Sequence, residues 1–198
     1  MNEAYRAYQL AFDELNKKTI QIVNQAFDST NLQNYESSKS EIKEDLEDIL
    51  IEAYLLGSQS AAYLLGEDVP LNSEKLEQSL SRSIDGITFR DRVDRHLDDG
   101  SLDGLTCLVE SEFQRVFNNS VYDSAQTFTA MTGRRIMKEW LTMQDDRVRD
   151  THDYLQGMQM PLDQPFYTFD GDFAMYPHDF NNAENNVNCR CVLAIRIV

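Results

Sequence analysis

The first half of the chain is dominated by apolar residues that recur every three or four positions, which is typical of amphipathic helices. The first stripe lies between Asn2 and Phe27 and consists of Tyr8, Phe12, Leu15, Ile22, Val23 and Ala26. A second stripe continues to Leu64, and Ser38 with Glu41 three positions later has the spacing of a capping box at its start. Gly66 then favours a helix end. The pattern therefore predicts two long N-terminal helices.

Three further helices are predicted before residue 133. Two short ones are expected from Asn72–Ser73, with Leu76, Leu80 and Ile84 on the apolar face, and from Thr88, with Val93 and Leu97. The longest stripe consists of Leu105, Leu108, Val109, Phe113, Val116, Phe117, Val121, Ala125 and Phe128. It predicts a helix from about 101 to 130. On the second N-terminal helix, Gly57 and Ala61 lie four residues apart and can permit close helix contact, although ordinary core packing also explains them.

Beyond Gly133 the apolar pattern shortens, and glycines and prolines interrupt the chain every few residues. This texture predicts strands over 135–142, 166–169 and 189–197, with a short helix over 146–155. The expected fold class is α+β and predominantly helical. We expect a helical N-terminal region over 1–100, a long connecting helix over 101–132 and a small α+β part over 133–198.

The charge and hydropathy of the chain argue against two classes of partner, nucleic acids and membranes. The 198 residues have a formal net charge of -16, and 41% of them are hydrophobic. An acidic surface repels phosphate, so strong direct binding of nucleic acid is not expected. The longest apolar runs fall short of the roughly 18 residues that a membrane-spanning helix needs, so no membrane association is expected either.

Three cysteines, an odd number, argue against a framework of disulfides and favour free or metal-bound thiols in a reducing compartment. If Cys189 and Cys191 lie on a strand, both thiols project from one face and Arg190 from the other. His152 can add an imidazole, and either His178 or Asp150 a fourth ligand, which would complete a tetrahedral zinc site. The predicted metal ligands are therefore His152, Cys189 and Cys191. Buried free thiols explain the same pair without zinc.

Arginines and aspartates are concentrated around these residues. Arg147, Arg149 and Arg190 lie near several aspartates, and Arg149 is one helical turn from Asp153, with which it can pair. A salt-bridge network that fixes the short helix against the last strand explains the group, and so does a face for a partner. A catalytic arrangement would use Asp150, His152 and Cys189 as base, orienting group and nucleophile. Other catalytic motifs are not apparent in the sequence.

The order of these residues resembles a known family. The set consists of Lys138-x-Trp140, Asp146-Arg147-Val148-Arg149-x-x-His152, Gly157 and Asn188-Cys189-Arg190-Cys191. It is similar to the conserved region of the phage head-morphogenesis family of the Mu F-like type. The resemblance covers about the last 90 residues. The stretch between Pro177 and Asn188 is longer and richer in asparagine than the family pattern.

The resemblance implies a phage minor head protein that is structural and not an enzyme. Such a protein binds the portal during procapsid assembly, with capsid or scaffolding protein as further partners. It lies inside the phage head near the portal, after assembly in the host cytoplasm, and acts in genome packaging and ejection. We expect the N-terminal helices to supply portal or self-association surfaces. The alternative is a zinc-stabilised domain with hydrolase or toxin-like activity, since related modules are fused to toxin domains.

Overall fold

The computed structural model describes residues 3–26, 35–84 and 86–198. Five helices come first: α1 (Glu3–Ala26), α2 (Tyr35–Leu65), α3 (Ser73–Ser81), α4 (Phe89–Asp98) and α5 (Leu102–Thr132). The remaining elements are β1 (Ile136–Leu141), α6 (Asp150–Asp153), β2 (Gln159–Pro161), β3 (Phe166–Tyr167), β4 (Phe173–Ala174), α7 (Ala183–Asn186) and β5 (Val192–Ile197). The predicted class, α+β and predominantly helical with a long central helix, is confirmed.

The helical part is built on a close contact between α2 and α5. A Cβ atom added to Gly57 would lie only 2.4 Å from the carbonyl oxygen of Phe117, so the two backbones nearly touch there. Ala61, one turn further along α2, is fully buried. The hydroxyl of Ser120 donates a hydrogen bond across the contact to the carbonyl oxygen of Tyr54, at 2.5 Å. Close helix contact, one of the two explanations of this pair, is therefore found at Gly57, while the burial of Ala61 fits ordinary core packing as well.

Two details of the predicted helices are wrong. The helix α2 begins at Tyr35, so Ser38 lies inside its first turn and is not a capping residue. The helix α3 ends at Ser81 and does not include Ile84, which instead exchanges two backbone hydrogen bonds with Ile87, at 3.1 and 2.9 Å. Residues 2 and 27, at the ends of the predicted first helix, lie outside the described residues.

The small part carries two antiparallel sheets. In the larger one β1 lies between β2 and β5, and Lys138 faces Met160 on one side and Ile195 on the other. In the smaller one β3 pairs with β4. The strand β1 was predicted, whereas β2, β4 and α7 were not. Buried apolar residues of the helices and of the sheet form one continuous core, so the sheet packs directly on the helical part.

Two elements next to the candidate site are shorter than predicted. The helix α6 spans only Asp150–Asp153, because the preceding residues form a turn in which the carboxylate of Asp145 accepts the backbone N–H of Arg147, at 3.1 Å. The strand β5 begins at Val192, so Cys189 and Cys191 precede it. The carbonyl oxygen of Cys191 is taken by the side chain of Asn118 instead of a neighbouring strand. Among the helices of the described ranges, none is long and apolar enough to cross a membrane.

Candidate metal centre

His152, Cys189 and Cys191 lie together in the interior. Nδ1 of His152 is 3.5 Å from Sγ of Cys189 and 3.5 Å from Sγ of Cys191. The three possible ligand atoms all lie within 4.8 Å of one another. Each side chain is almost fully buried, with 1% exposure for His152, 2% for Cys189 and 3% for Cys191. The structure thus brings together the three residues that the sequence singled out as metal candidates.

The imidazole of His152 is held by aromatic rings. Its centroid lies 5.6 Å from that of Trp140, edge to face, and 5.3 Å from that of Phe180, stacked. Trp140 in turn packs edge to face on Phe166, at 5.3 Å. Nε2 of His152 is buried and has no hydrogen-bond partner among the described residues. Ring packing therefore fixes the direction in which Nδ1 points.

The two cysteines belong to a turn that we call the cysteine loop (residues 188–191). Asn188 has a φ of 56°, a left-handed conformation that asparagine tolerates better than most residues, and it turns the chain into the loop. The side-chain oxygen of Asn188 accepts a hydrogen bond from the thiol of Cys107, on α5, at 3.3 Å. The backbone N–H of Cys191 points at Sγ of Cys189, at 3.4 Å. The loop that begins with this turn brings both thiols to His152.

The two thiols differ in their tendency to ionise. Burial opposes ionisation of Cys189, but the hydrogen bond from Cys191 and the nearby imidazoles of His178 and His152 outweigh burial and lower the pKa of Cys189 below its ordinary value. The hydrogen bond to Cys189 raises the pKa of Cys191, and burial raises it further. The loop therefore favours one negative charge, on Cys189.

The two residues predicted as a fourth ligand do not join the cluster. Asp150 is exposed on α6. His178 is buried, but its Nε2 lies 2.8 Å from the carbonyl oxygen of Cys189 and 3.1 Å from Oε1 of Gln114. His178 thus binds the backbone of the cysteine loop, and it is not part of the group of three close ligand atoms. A cavity of about 10 Å³ adjoins the cluster and is lined by His152 and both cysteines.

The arginines of the motif brace the loop from outside. Arg190 makes two hydrogen bonds to the carboxylate of Asp145, at 2.8 and 2.6 Å, and this interaction lowers the pKa of Asp145 to about 2. Arg149 donates to the carbonyl oxygen of Val187, immediately before the loop. The predicted pair of Arg149 with Asp153 is absent from the ion pairs between described residues.

Two other motif residues are exposed. Arg147 lies 3.7 Å from Asp145, and its side chain is 73% exposed. Asp146 is exposed as well. The salt bridges of the group thus connect the turn before α6 to the cysteine loop, while Arg147 and Asp146 face outward.

Lys138 has a role that sequence reasoning missed. The side chain is fully buried, and its Nζ donates to the carbonyl oxygen of Met175 at 2.7 Å. The ammonium also lies over the rings of Tyr122, at 5.1 Å, and Phe166, at 4.9 Å. Burial lowers the pKa of Lys138 to about 8. The lysine joins β1 to the segment after β4, and its alternation with Trp140 on a strand was the available signal.

Gly157 forms a turn that is hydrogen-bonded to β1. Its φ of 71° is left-handed, which suits glycine, and its N–H donates to the carbonyl oxygen of Trp140 at 2.8 Å. The N–H of Trp140 donates in return to Met158 at 3.0 Å. Gly157 therefore returns the chain from α6 to β1.

Asp172 was also missed. Its buried carboxylate accepts backbone hydrogen bonds from Phe173, Asn181 and Asn182, and a side-chain hydrogen bond from Asn185 at 2.9 Å. Burial opposes its ionisation, but these hydrogen bonds together lower its pKa. The asparagine-rich stretch, a departure from the family pattern, is thus folded around a single carboxylate. Its composition was the signal that was available.

Comparison with protein families matches residues 73–194 to the family described as phage Mu protein F like protein. The match extends over more than half of the chain, so the chain belongs to this family and is a phage head-related protein. The family match begins at α3, whereas the resemblance of the motifs covered only about the last 90 residues. The predicted family is confirmed.

A search of curated proteins finds a relative with a different name. NAD(+)--arginine ADP-ribosyltransferase EFV of Enterococcus faecalis is 36% identical over 78 residues. These residues are 39% of this chain and only 15% of that protein. No solved structure matches the chain.

Proposed function

We propose that this chain is a phage minor head protein that associates with the portal and acts in procapsid assembly and in genome packaging and ejection. The observation that carries the proposal is the family match over residues 73–194, which runs from α3 into β5 and includes the whole motif. The role is structural, and the protein lies inside the head near the portal after assembly in the host cytoplasm.

The burial of the motif supports a structural role. Lys138, Trp140, His152, Cys189 and Cys191 are all buried and hold β1, α6 and the cysteine loop together. A cysteine nucleophile has to reach its substrate, and its histidine is usually oriented by a third group. Here the thiols and the imidazole are closed off from solvent by the packing described above. The predicted catalytic arrangement of Asp150, His152 and Cys189 lacks support, since Asp150 is exposed and Nε2 of His152 has no hydrogen-bond partner among the described residues.

The negative charge of the chain favours proteins over nucleic acid as its binding partners. With a formal net charge of -16, the chain repels the phosphates of packed DNA. A protein enclosed with the genome benefits when it does not retain DNA that leaves the head. Portal protein is the proposed main partner, and capsid or scaffolding protein are further ones.

The N-terminal helices are the proposed portal-binding surface, and their packing determines how this is tested. Leu46, Leu50 and Ala53 of α2 are buried in the common core, so removal of α1 and α2 would expose the core and unfold the protein. Substitutions on the outer faces avoid this. Ile20 on α1 is 44% exposed and Leu55 on α2 is 38% exposed.

The test is co-expression of the chain with the portal protein of the same phage, followed by affinity purification of the portal. We expect the wild-type chain to be retained, and the double variant Ile20→Glu/Leu55→Glu to be retained at least tenfold less. Met131→Glu, at the exposed end of α5, is the matched control and should be retained like the wild type. Absence of the wild-type chain from purified portal would contradict portal association. Retention of the double variant at the wild-type level would show that the N-terminal helices are not the portal-binding surface, while portal association itself would stand.

The alternative function is a zinc-stabilised domain with hydrolase or toxin-like activity. The similarity to an ADP-ribosyltransferase is the observation in its favour. The aligned segment is 15% of that protein, so the activity in its name applies to that protein as a whole. Release of nicotinamide from NAD⁺ by the purified chain would favour this alternative.

A further inference from the structure

We infer that His152, Cys189 and Cys191 bind one Zn²⁺ ion, with a water molecule as the fourth ligand. The inference rests on the geometry of the cluster and does not depend on the proposed role in the phage head. The ion would connect α6 to the cysteine loop, through His152 and Cys189, which are 37 residues apart in the sequence.

The spacing of the three ligand atoms fits a tetrahedral zinc ion. With Zn–S distances of about 2.3 Å and Zn–N distances of about 2.0 Å, tetrahedral angles place sulfur and nitrogen about 3.5 Å apart. The structure has 3.5 Å between Nδ1 of His152 and each of the two sulfur atoms. The sulfur atom of each cysteine thus already lies on one edge of a tetrahedron with the histidine.

Hydrogen bonds alone account for this arrangement less well. Nδ1 of a neutral imidazole has one lone pair and can accept one good hydrogen bond, yet two thiols approach it at the same distance. A metal ion satisfies the lone pair of Nδ1 and both sulfur atoms at once. The backbone N–H of Cys191, directed at Sγ of Cys189, supports a thiolate there, as hydrogen-bond donors next to the ligands do at other metal sites.

Charge and burial also fit zinc. Two thiolates neutralise Zn²⁺, so the buried centre carries no net charge and avoids most of the cost of burying an ion. The ring of His152 is oriented by Trp140 and Phe180, which take the place of the hydrogen bond that usually orients a ligating histidine.

The fourth position faces the adjoining cavity. Its volume of about 10 Å³ is close to the space that one water molecule needs. Neither of the residues predicted as a fourth ligand reaches it, because Asp150 is exposed and His178 holds the carbonyl oxygen of Cys189. A water molecule therefore completes the tetrahedron.

The first test is native mass spectrometry of the full-length chain, purified under reducing conditions and given one equivalent of zinc. We expect one zinc per wild-type chain, with a mass gain of one zinc ion less two protons, because both thiols lose their protons on binding. Cys189→Ser and Cys191→Ser should each lower zinc affinity by at least a hundredfold. Cys107→Ser is the matched control, because Cys107 is not one of the three ligands and a serine hydroxyl can still donate to Asn188 as the thiol does, so zinc binding should be unchanged.

A wild-type chain that binds no zinc would overturn the inference, and so would a Cys189→Ser/Cys191→Ser chain that binds zinc as tightly as the wild type. Since the serine variants can lose their fold, X-ray absorption of the wild-type zinc protein gives a second measurement. We expect two sulfur neighbours at about 2.3 Å and two nitrogen or oxygen neighbours at about 2.0 Å. A zinc shell without sulfur would place the ion elsewhere and refute the site.

Discussion

The buried ammonium of Lys138 gives a prediction about how stability depends on pH. Within the part of the chain that the structure describes, its Nζ donates one hydrogen bond, to the carbonyl oxygen of Met175, and lies over two aromatic rings. Burial lowers the pKa of Lys138 from 10.5 to about 8 in the folded protein. Replacing Lys138 with Met removes the titrating group and keeps a side chain of similar length.

The size of the effect follows from the two pKa values. Between them the unfolded chain binds more protons than the folded protein, so the contribution of Lys138 to the free energy of unfolding rises with pH. One pKa unit corresponds to about 1.4 kcal/mol, and the rise from about pH 7 to about pH 9.5 therefore amounts to about 2 kcal/mol. Lys138→Met should lack this rise.

The assay is urea unfolding of both proteins at these two pH values, followed by circular dichroism. Other groups also titrate over this range, but their effects cancel in the difference between the wild type and Lys138→Met. Lys18→Met is the control, because Lys18 is exposed and its pKa is raised by the hydrogen bond to Glu52, so it cannot produce the rise. If the wild type and Lys138→Met show the same change of stability with pH, burial does not lower the pKa of Lys138 in the folded protein, and the prediction is wrong.

Further predictions concern packing, the cysteine loop and DNA. Gly57→Ala should destabilise the protein by about 1–3 kcal/mol in urea unfolding, because the added methyl group clashes with the carbonyl oxygen of Phe117 and this outweighs the better helix propensity of Ala. Gln59→Ala, at an exposed position of α2, is the control and should change the free energy of unfolding little. A Gly57→Ala protein that is more stable than the wild type would contradict the close contact. Asn118→Ala should lower the free energy of unfolding by about 2–4 kcal/mol, because it leaves the N–H of Leu193 and the carbonyl oxygen of Cys191 buried without this partner. An unchanged free energy of unfolding would show that these hydrogen bonds do not stabilise the fold. Fluorescence anisotropy should detect no binding to duplex DNA even at about 50 mM salt, and tight binding that weakens with added salt would contradict the argument from net charge.

The helices were predictable because their signal is local. The apolar stripe of α5 and the start of α4 at Thr88 follow from spacing within a single element. The elements that were missed, β2, β4 and α7, are two to four residues long. A pattern of that length cannot be read from periodicity, and these elements form because of partners elsewhere in the chain, such as the carboxylate of Asp172 for the asparagine-rich stretch.

The structure brings the three candidate metal residues together, but by a local structure that differs from the predicted one. The cysteines were expected to share one face of a strand, whereas they lie in a loop before β5. Their approach to His152 depends on the left-handed turn at Asn188 and on His178 and Asn118, which bind the loop carbonyls. None of these contacts has a signature in the spacing of the cysteines. The position of His178 likewise explains why it does not act as the fourth ligand.

The most direct test of the role in the phage head is quantitative mass spectrometry of density-purified phage particles and empty procapsids, with this chain measured against portal and major capsid protein. We expect a few copies of the chain per particle in both. Absence of the chain from both, while it is abundant in the infected cell, would contradict a minor head protein and favour the metal-stabilised, toxin-like alternative.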